Sequence, residues 1–305
     1  MGPWYSRGMS TRNHRLKKGR PARAHLVASL RGYRAISAAL KAHDGPIQSF
    51  MRLLDQEHVP YLSYSKIASV EFCPYRYYLE YVVCKKLRPE PSYFAKGRTF
   101  HKAADRLYRR IARGRQLDTA ELEPLIRKHR DEDDQRHLRN AVQLLAQNVM
   151  TGWDVAGVEE PFVLPLGRGL PPCIGIVDLV LRKDDALAVI DHKTGKNFGN
   201  TDDLQMVIYR QHALSKHKAD RCLTFFDEYR WVNNLGRIRK PAFQRTAIRM
   251  RSTAWATAVR RFAKGHNRIR RIEKTQDAPG TGQCYLCPFR SACDKATTYT
   301  TFSWW

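Results

Sequence analysis

Acidic residues are scarce in this chain of 305 residues, 29 Asp and Glu against 54 Lys and Arg, which leaves a formal net charge of +25. The shortage is uneven. Asp44 is the first acid, and Arg7, Arg12, Arg15, Lys17, Lys18, Arg20, Arg23, Arg31, Arg34 and Lys41 all precede it. Such an imbalance points to a polyanionic partner, nucleic acid before an anionic membrane surface. Long apolar runs are also missing, so no membrane-crossing helix is expected. Cysteines number seven, an odd count; with no secretory leader in view, this argues against a disulfide framework and for a reducing, intracellular location. No phosphate-binding loop of the helicase type occurs, so any unwinding must come from a partner.

What is there centres on the stretch from Pro172 to Tyr209. Two apolar, β-branched runs flank the turn-like Lys183-Asp184-Asp185 and predict a hairpin. Each run carries a carboxylate against its hydrophobic pattern, Asp178 in the first and Asp191 in the second. Side chains two apart on a strand share a face, so Lys193 points with Asp191 while His192 points away. Unpaired charges on a half-buried surface cost several kcal/mol unless something compensates them. A hard divalent cation, Mg²⁺ or Mn²⁺, is the chemically apt compensator. Asp178 and Asp191 would then hold the ion, with Lys193 orienting a water or neutralising charge on a phosphate. On spacing alone, a solvated surface hairpin is the commoner explanation of a lone Asp-x-Lys.

The rest of the chain divides around this stretch. Residues 1–50 read as a basic arm without a packed core, with a short helix allowed between Ala24 and Leu40. Its function would be phosphate contact, although an Arg-rich, acid-poor segment is also the pattern of an organellar presequence. Residues 51–305 read as one folded domain. Ser63 or Ser65 can cap an entry helix, and Pro74 opens another with core-packing Tyr77, Tyr78 and Tyr81. Residues from about 113 to 152 read as a helical insertion with a solvated acidic run at Asp131–Asp134. Glu159 and Glu160 are neighbours on a strand, so one of them alone faces the cleft. Gln205 and Tyr209 rise one turn apart from one helix face. Thr253 to Ile272 reads as a strongly basic helix with Arg260, Arg261, Lys264, Arg268, Arg270 and Arg271. Cys284, Cys287 and Cys293 form a Cys-x2-Cys-x5-Cys run, to which Cys73 or Cys84 can add a fourth thiolate for an iron–sulfur cluster or zinc.

Gly97 to His101, Glu159 with Pro161-Phe162, Gly175 to Asp178, Asp191-His192-Lys193 and Gln205 to Tyr209 follow one another in an order that resembles the RecB-like branch of the PD-(D/E)XK nuclease superfamily. This branch includes the nuclease domains of RecB and AddB and the CRISPR-adaptation exonucleases. The resemblance runs from about Tyr61 to Cys293. It implies an α/β restriction-endonuclease-like core in the order α-β-β-β-α-β with helical insertions, and metal-dependent hydrolysis of DNA phosphodiesters. In the roles it implies, Asp178, Asp191 and Lys193 are catalytic, and His101 joins the two aspartates as a metal ligand. Glu159 is the auxiliary acid, while Gln205 and Tyr209 contact substrate. Cys73, Cys284, Cys287 and Cys293 would hold a 4Fe-4S staple, with Zn²⁺ as the alternative. The branch also implies exonuclease action on single-stranded DNA or free ends, in repair, recombination or DNA processing near the nucleoid, beside a helicase or other DNA-processing partner. A catalytically silent DNA-binding module is the competing expectation.

Overall fold

The computed structural model describes residues 32–85, 92–115, 118–195, 197–199, 202–230, 241–281 and 284–296. The helices in chain order are α1 (Gly32–Lys41), α2 (Ile47–Gln56), α3 (Tyr64–Phe72), α4 (Pro74–Tyr77, running into a π turn over Tyr78–Val82), α5 (Ser92–Ile111), α6 (Glu123–Ile126), α7 (Glu132–Gln147), α8 (Asp203–His217) and α9 (Ala254–Thr275). The strands are β1 (Asp154–Leu164), β2 (Cys173–Lys183), β3 (Ala186–Gly195), β4 (Arg221–Arg230) and β5 (Ala242–Ala247), and they form one sheet in sequence order. Three pairings are antiparallel, and β3/β4 is parallel. A parallel pair needs a crossover, and α8 supplies it. Asp202 starts that crossover as a helix cap, its carboxylate accepting from the Leu204 N–H at 2.9 Å. The β2–β3 turn is tight: Lys183 pairs with Ala186, and Asp184 takes the left-handed φ of +53°.

Both sheet faces are covered, so both hold core. On one face Val180, Leu187, Val189 and Phe226 pack with Met206 and Ile208 of α8, Phe262 of α9 and Ile67 of α3. The α3–α9 approach is close enough that a Cβ at Gly265 would meet Ile67 Cδ1 at 2.5 Å. On the other face Leu179, Leu181, Ala188, Ile190 and Tyr229 pack with Phe100 and Leu107 of α5 and Leu138, Val142 and Leu145 of α7.

Two sequence-based boundaries change as a result. The stretch read as an insertion supplies, with α5, one whole layer of the core, because its apolar stripe meets the sheet. Packing also begins before residue 51: Ile36, Ile47, Phe50 and Leu54 are buried in a cluster with Ile174 of β2. The basic arm of residues 1–50 is therefore a packed part of the fold from Gly32 onward, and residues 1–31 lie outside the described residues. Among the described residues, no helix is long and apolar enough to cross a membrane.

Candidate active site

The register of the sheet brings three carboxylates into line. Val158 pairs with Leu179 and Glu160 with Val177, so Glu159 and Asp178 stand opposite each other between those rungs. Leu179↔Ile190 is the last rung of β2/β3, which sets Asp178 across from Asp191 just beyond it. The ladder stops there, and the Asp178 carboxylate takes up the freed His192 N–H at 2.9 Å. Glu159 sits at a left-handed φ of +46°. That conformation is costly for a side-chain-bearing residue and breaks the strand's alternation. Helix α5 adds His101, whose Nδ1 lies 3.5 Å from Asp178 Oδ2 and 3.7 Å from Glu159 Oε1. Ligand atoms of His101, Glu159 and Asp178 all lie within 4.8 Å of one another.

Asp191 lies deeper, 2% exposed. Its Oδ1 accepts from Gln205 Nε2 at 2.8 Å. Its Oδ2 is 2.8 Å from Lys193 Nζ, yet no donor meets that buried oxygen in hydrogen-bonding geometry. Lys193 Nζ instead donates to Gln205 Oε1 at 2.9 Å, and Gln205 Nε2 also donates to the Tyr209 hydroxyl at 2.9 Å.

Burial sets the electrostatics of this group. It raises Asp178 and pushes Asp191 up to about 6; attraction to His101 and Lys193 offsets this in part, and repulsion between carboxylates adds to it. Burial opposes charge on Lys193 too, but the Asp191 carboxylate outweighs it and holds the amine above its ordinary value. For His101, burial pulls down, while Asp178, Glu159 and Asp191 together push it up to about 9. The cluster thus retains protons that a cation of higher charge can replace. Its donors, carboxylate oxygens and one imidazole nitrogen around an unsatisfied buried oxygen, fit Mg²⁺ or Mn²⁺.

A family model for the PD-(D/E)XK nuclease superfamily matches residues 61–294. The chain belongs to that superfamily. Among solved structures it is similar to a proposed exonuclease from Eubacterium rectale, with 12% identity over 80% of this chain and 93% of that chain and a TM-score of 0.46. It is also similar to SSO0001, with 15% identity over 84% of this chain and 100% of that chain and a TM-score of 0.33. No curated protein matches the chain.

Several residues of this PD-(D/E)XK nuclease sit differently from the sequence reading. Gln205 and Tyr209, expected at the substrate, are buried and spend their polar groups on Asp191, Lys193 and each other. Space is left in front of Gly97, where a Cβ would meet no atom nearer than Thr194 Oγ1 at 3.9 Å. Arg261 is not a free cation of α9: it pairs with Glu71 at 2.7 Å and with Asp202 at 2.8 Å. Arg260, Lys264, Arg268, Arg270 and Arg271 remain exposed along that helix.

Sequence reasoning did not find a second buried charge group. Glu160 turns away from Glu159 and accepts from His212 at 2.6 Å, Lys216 at 2.8 Å and His217 at 3.1 Å. Burial alone would raise Glu160, but the hydrogen bonds from His212 and Lys216 bring it down to about 2. The helical spacing of His212, Lys216 and His217 was the available signal. Asp227, fully buried, is held by Arg245 at 2.7 Å and fixes β5 against β4. Burial drives His192 well below its ordinary value, so this neighbour of Asp191 stays neutral against Tyr108 and Tyr229.

Cys73, Cys284, Cys287 and Cys293 line one pocket with Phe72, Arg76 and Leu79. Burial raises the Cys287 and Cys293 thiols, and the neighbouring thiols add to the effect. Cys84, the alternative fourth thiolate, is exposed and donates to the Tyr81 carbonyl at 3.7 Å. Protein contacts also hold the tail here. Tyr75 OH donates to Asp294 at 2.6 Å, and Thr281 Oγ1 donates to the Phe72 carbonyl at 2.9 Å.

Proposed function

We propose that the chain is a metal-dependent DNA nuclease of the RecB-like branch, working as an exonuclease on single-stranded or free DNA ends in repair, recombination or DNA processing. The observation that carries this reading is the meeting of Glu159, Asp178 and Asp191 from three neighbouring strands beside His101 and the Lys193 ammonium. When bound, Mg²⁺ or Mn²⁺ supplies Lewis acidity at the scissile phosphate and an acidified water. Asp178 and Asp191 hold the ion, neutral His101 is the third ligand and Glu159 the auxiliary acid. Lys193 stays protonated and therefore does not serve as general base. Of its three donors, one serves Gln205 and one faces Asp191, which leaves the third for the attacking water or the phosphate. Gln205 and Tyr209 position Asp191 and Lys193.

The +25 charge supplies the attraction for DNA and makes binding salt-dependent. A helicase partner would supply single strands, and the setting is intracellular, at the nucleoid. The four pocket cysteines hold a 4Fe-4S cluster that staples the entry helices to the tail. Four thiols on one pocket with a single close Cys-x2-Cys pair favour a cluster over a zinc ribbon, which offers two such pairs.

Degradation of labelled single-stranded and duplex DNA with Mg²⁺, with Mn²⁺ and with EDTA tests the proposal. Asp191→Ala and Lys193→Ala should each abolish metal-dependent degradation and leave DNA binding largely intact. Parent-like activity in either variant sinks the assignment. A parent that binds DNA but degrades none with either metal is the silent binding module instead.

A further inference from the structure

Helix α5 carries His101 into the site, and its first turns carry something the catalytic reading leaves unused. Tyr93 and Phe94 are exposed, at 51% and 37%, and their rings lie 4.4 Å apart between centroids at 45°. Two adjacent large aromatics left partly in water forgo some of the burial that normally stabilises such side chains. Phe94 precedes His101 by seven residues, nearly two full turns, so the two share a stripe of the helix about 10 Å apart along its axis. Gly97 lies between them on that stripe, with nothing nearer than 3.9 Å to a Cβ placed there. Lys102, exposed, flanks the stripe one position on from His101. The first turn of α5 has no acidic residue to repel an anion.

Flat aromatic rings near an exposed ammonium, with one open position at Gly97 on the way to the metal site, match what a single strand needs: rings for its bases and positive charge along its backbone. We infer that Tyr93 and Phe94 form a base-stacking platform that holds single-stranded nucleic acid about three base steps, at ~3.4 Å each, from the bond to be cleaved. The Gly97 gap passes the strand from that platform to His101. Bases paired inside a duplex hide their faces, so the platform selects unpaired ends. This inference rests on the nuclease reading above and adds to it the residues that set substrate class.

The test measures binding of the full chain, in EDTA, to a fluorescent single-stranded oligonucleotide and to a blunt duplex. Replacing both rings, as Tyr93→Ala with Phe94→Ala or Tyr93→Leu with Phe94→Leu, should weaken single-strand binding about tenfold or more, given the usual worth of base–aromatic stacking. Duplex binding should change less than about twofold, and Phe94→Trp should bind the single strand at least as well as the parent. Removing single bases along the oligonucleotide should weaken parent binding at one position and have no such effect on the double variants. Leucine variants that bind the single strand like the parent, or equal losses on single strand and duplex, overturn the platform and leave the nuclease reading standing. A parent that binds no single strand at all overturns both.

Discussion

Replacing Gln205 with leucine separates positioning from substrate contact. The amide joins the two charges most central to the site, donating to Asp191 at 2.8 Å and accepting from Lys193 at 2.9 Å. Hydrogen bonds to charged groups are worth about 1.5–3 kcal/mol each. Leucine keeps the volume and removes both. Lys193 then loses the acceptor that aims it, and Asp191 loses the donor at its Oδ1. If one such bond is felt in the transition state, kcat should fall roughly 10- to 150-fold, since about 1.4 kcal/mol corresponds to one decade. KM for DNA should hardly move if Gln205 acts by positioning alone, as its burial favours. The assay is steady-state degradation of a labelled oligonucleotide at saturating Mg²⁺, with thermal melting to show that the variant folds. An unchanged kcat with a tenfold rise in KM would refute the positioning role and return Gln205 to direct substrate contact.

Two further predictions concern stability. Glu160→Gln breaks a buried ion group and should cost about 3 kcal/mol at neutral pH. A carboxyl held down to about 2 stabilises fully above its ordinary value of 4.5 and loses that contribution as pH falls toward 2, so the gap between parent and variant in urea titrations should shrink by roughly half between pH 5 and pH 3; a gap independent of pH contradicts the assignment. Cys287→Ser should lower the melting temperature of anaerobically purified protein and bleach its brown colour, and a colourless parent or an unchanged melting temperature would refute the staple.

The residues that break a pattern were the legible ones. Asp178 and Asp191 stand out because apolar strands have no use for carboxylates, and Lys193 follows from alternation. The hairpin and the helix that carries Gln205 and Tyr209 were readable from turn chemistry and helical spacing. The amphipathic stripe of Leu138, Val142 and Leu145 showed that a face is buried but not what buries it, so a core layer read as an insertion. Acid-poor composition hid Ile36, Ile47 and Phe50, whose burial depends on distant Ile174. Strand β5 is a half-exposed edge with weak alternation, and its anchor, the Asp227–Arg245 pair, joins residues 18 apart. Glu159 and Glu160 are indistinguishable by type. A left-handed backbone at Glu159, which no propensity favours, sends one toward His101 and the other into α8.

If Asp178, Asp191 and His101 take a divalent ion in exchange for protons, calorimetric titration with Mn²⁺ near pH 7 in two buffers of different ionisation enthalpy will register the exchange. One binding event is expected, with an apparent enthalpy that depends on the buffer and about one proton released per ion, because the carboxylates around His101 push it up to about 9 and it must give up its proton to bind the ion. Asp178→Asn should abolish that event. Binding of equal strength in Asp178→Asn, or no binding by the parent, would contradict it.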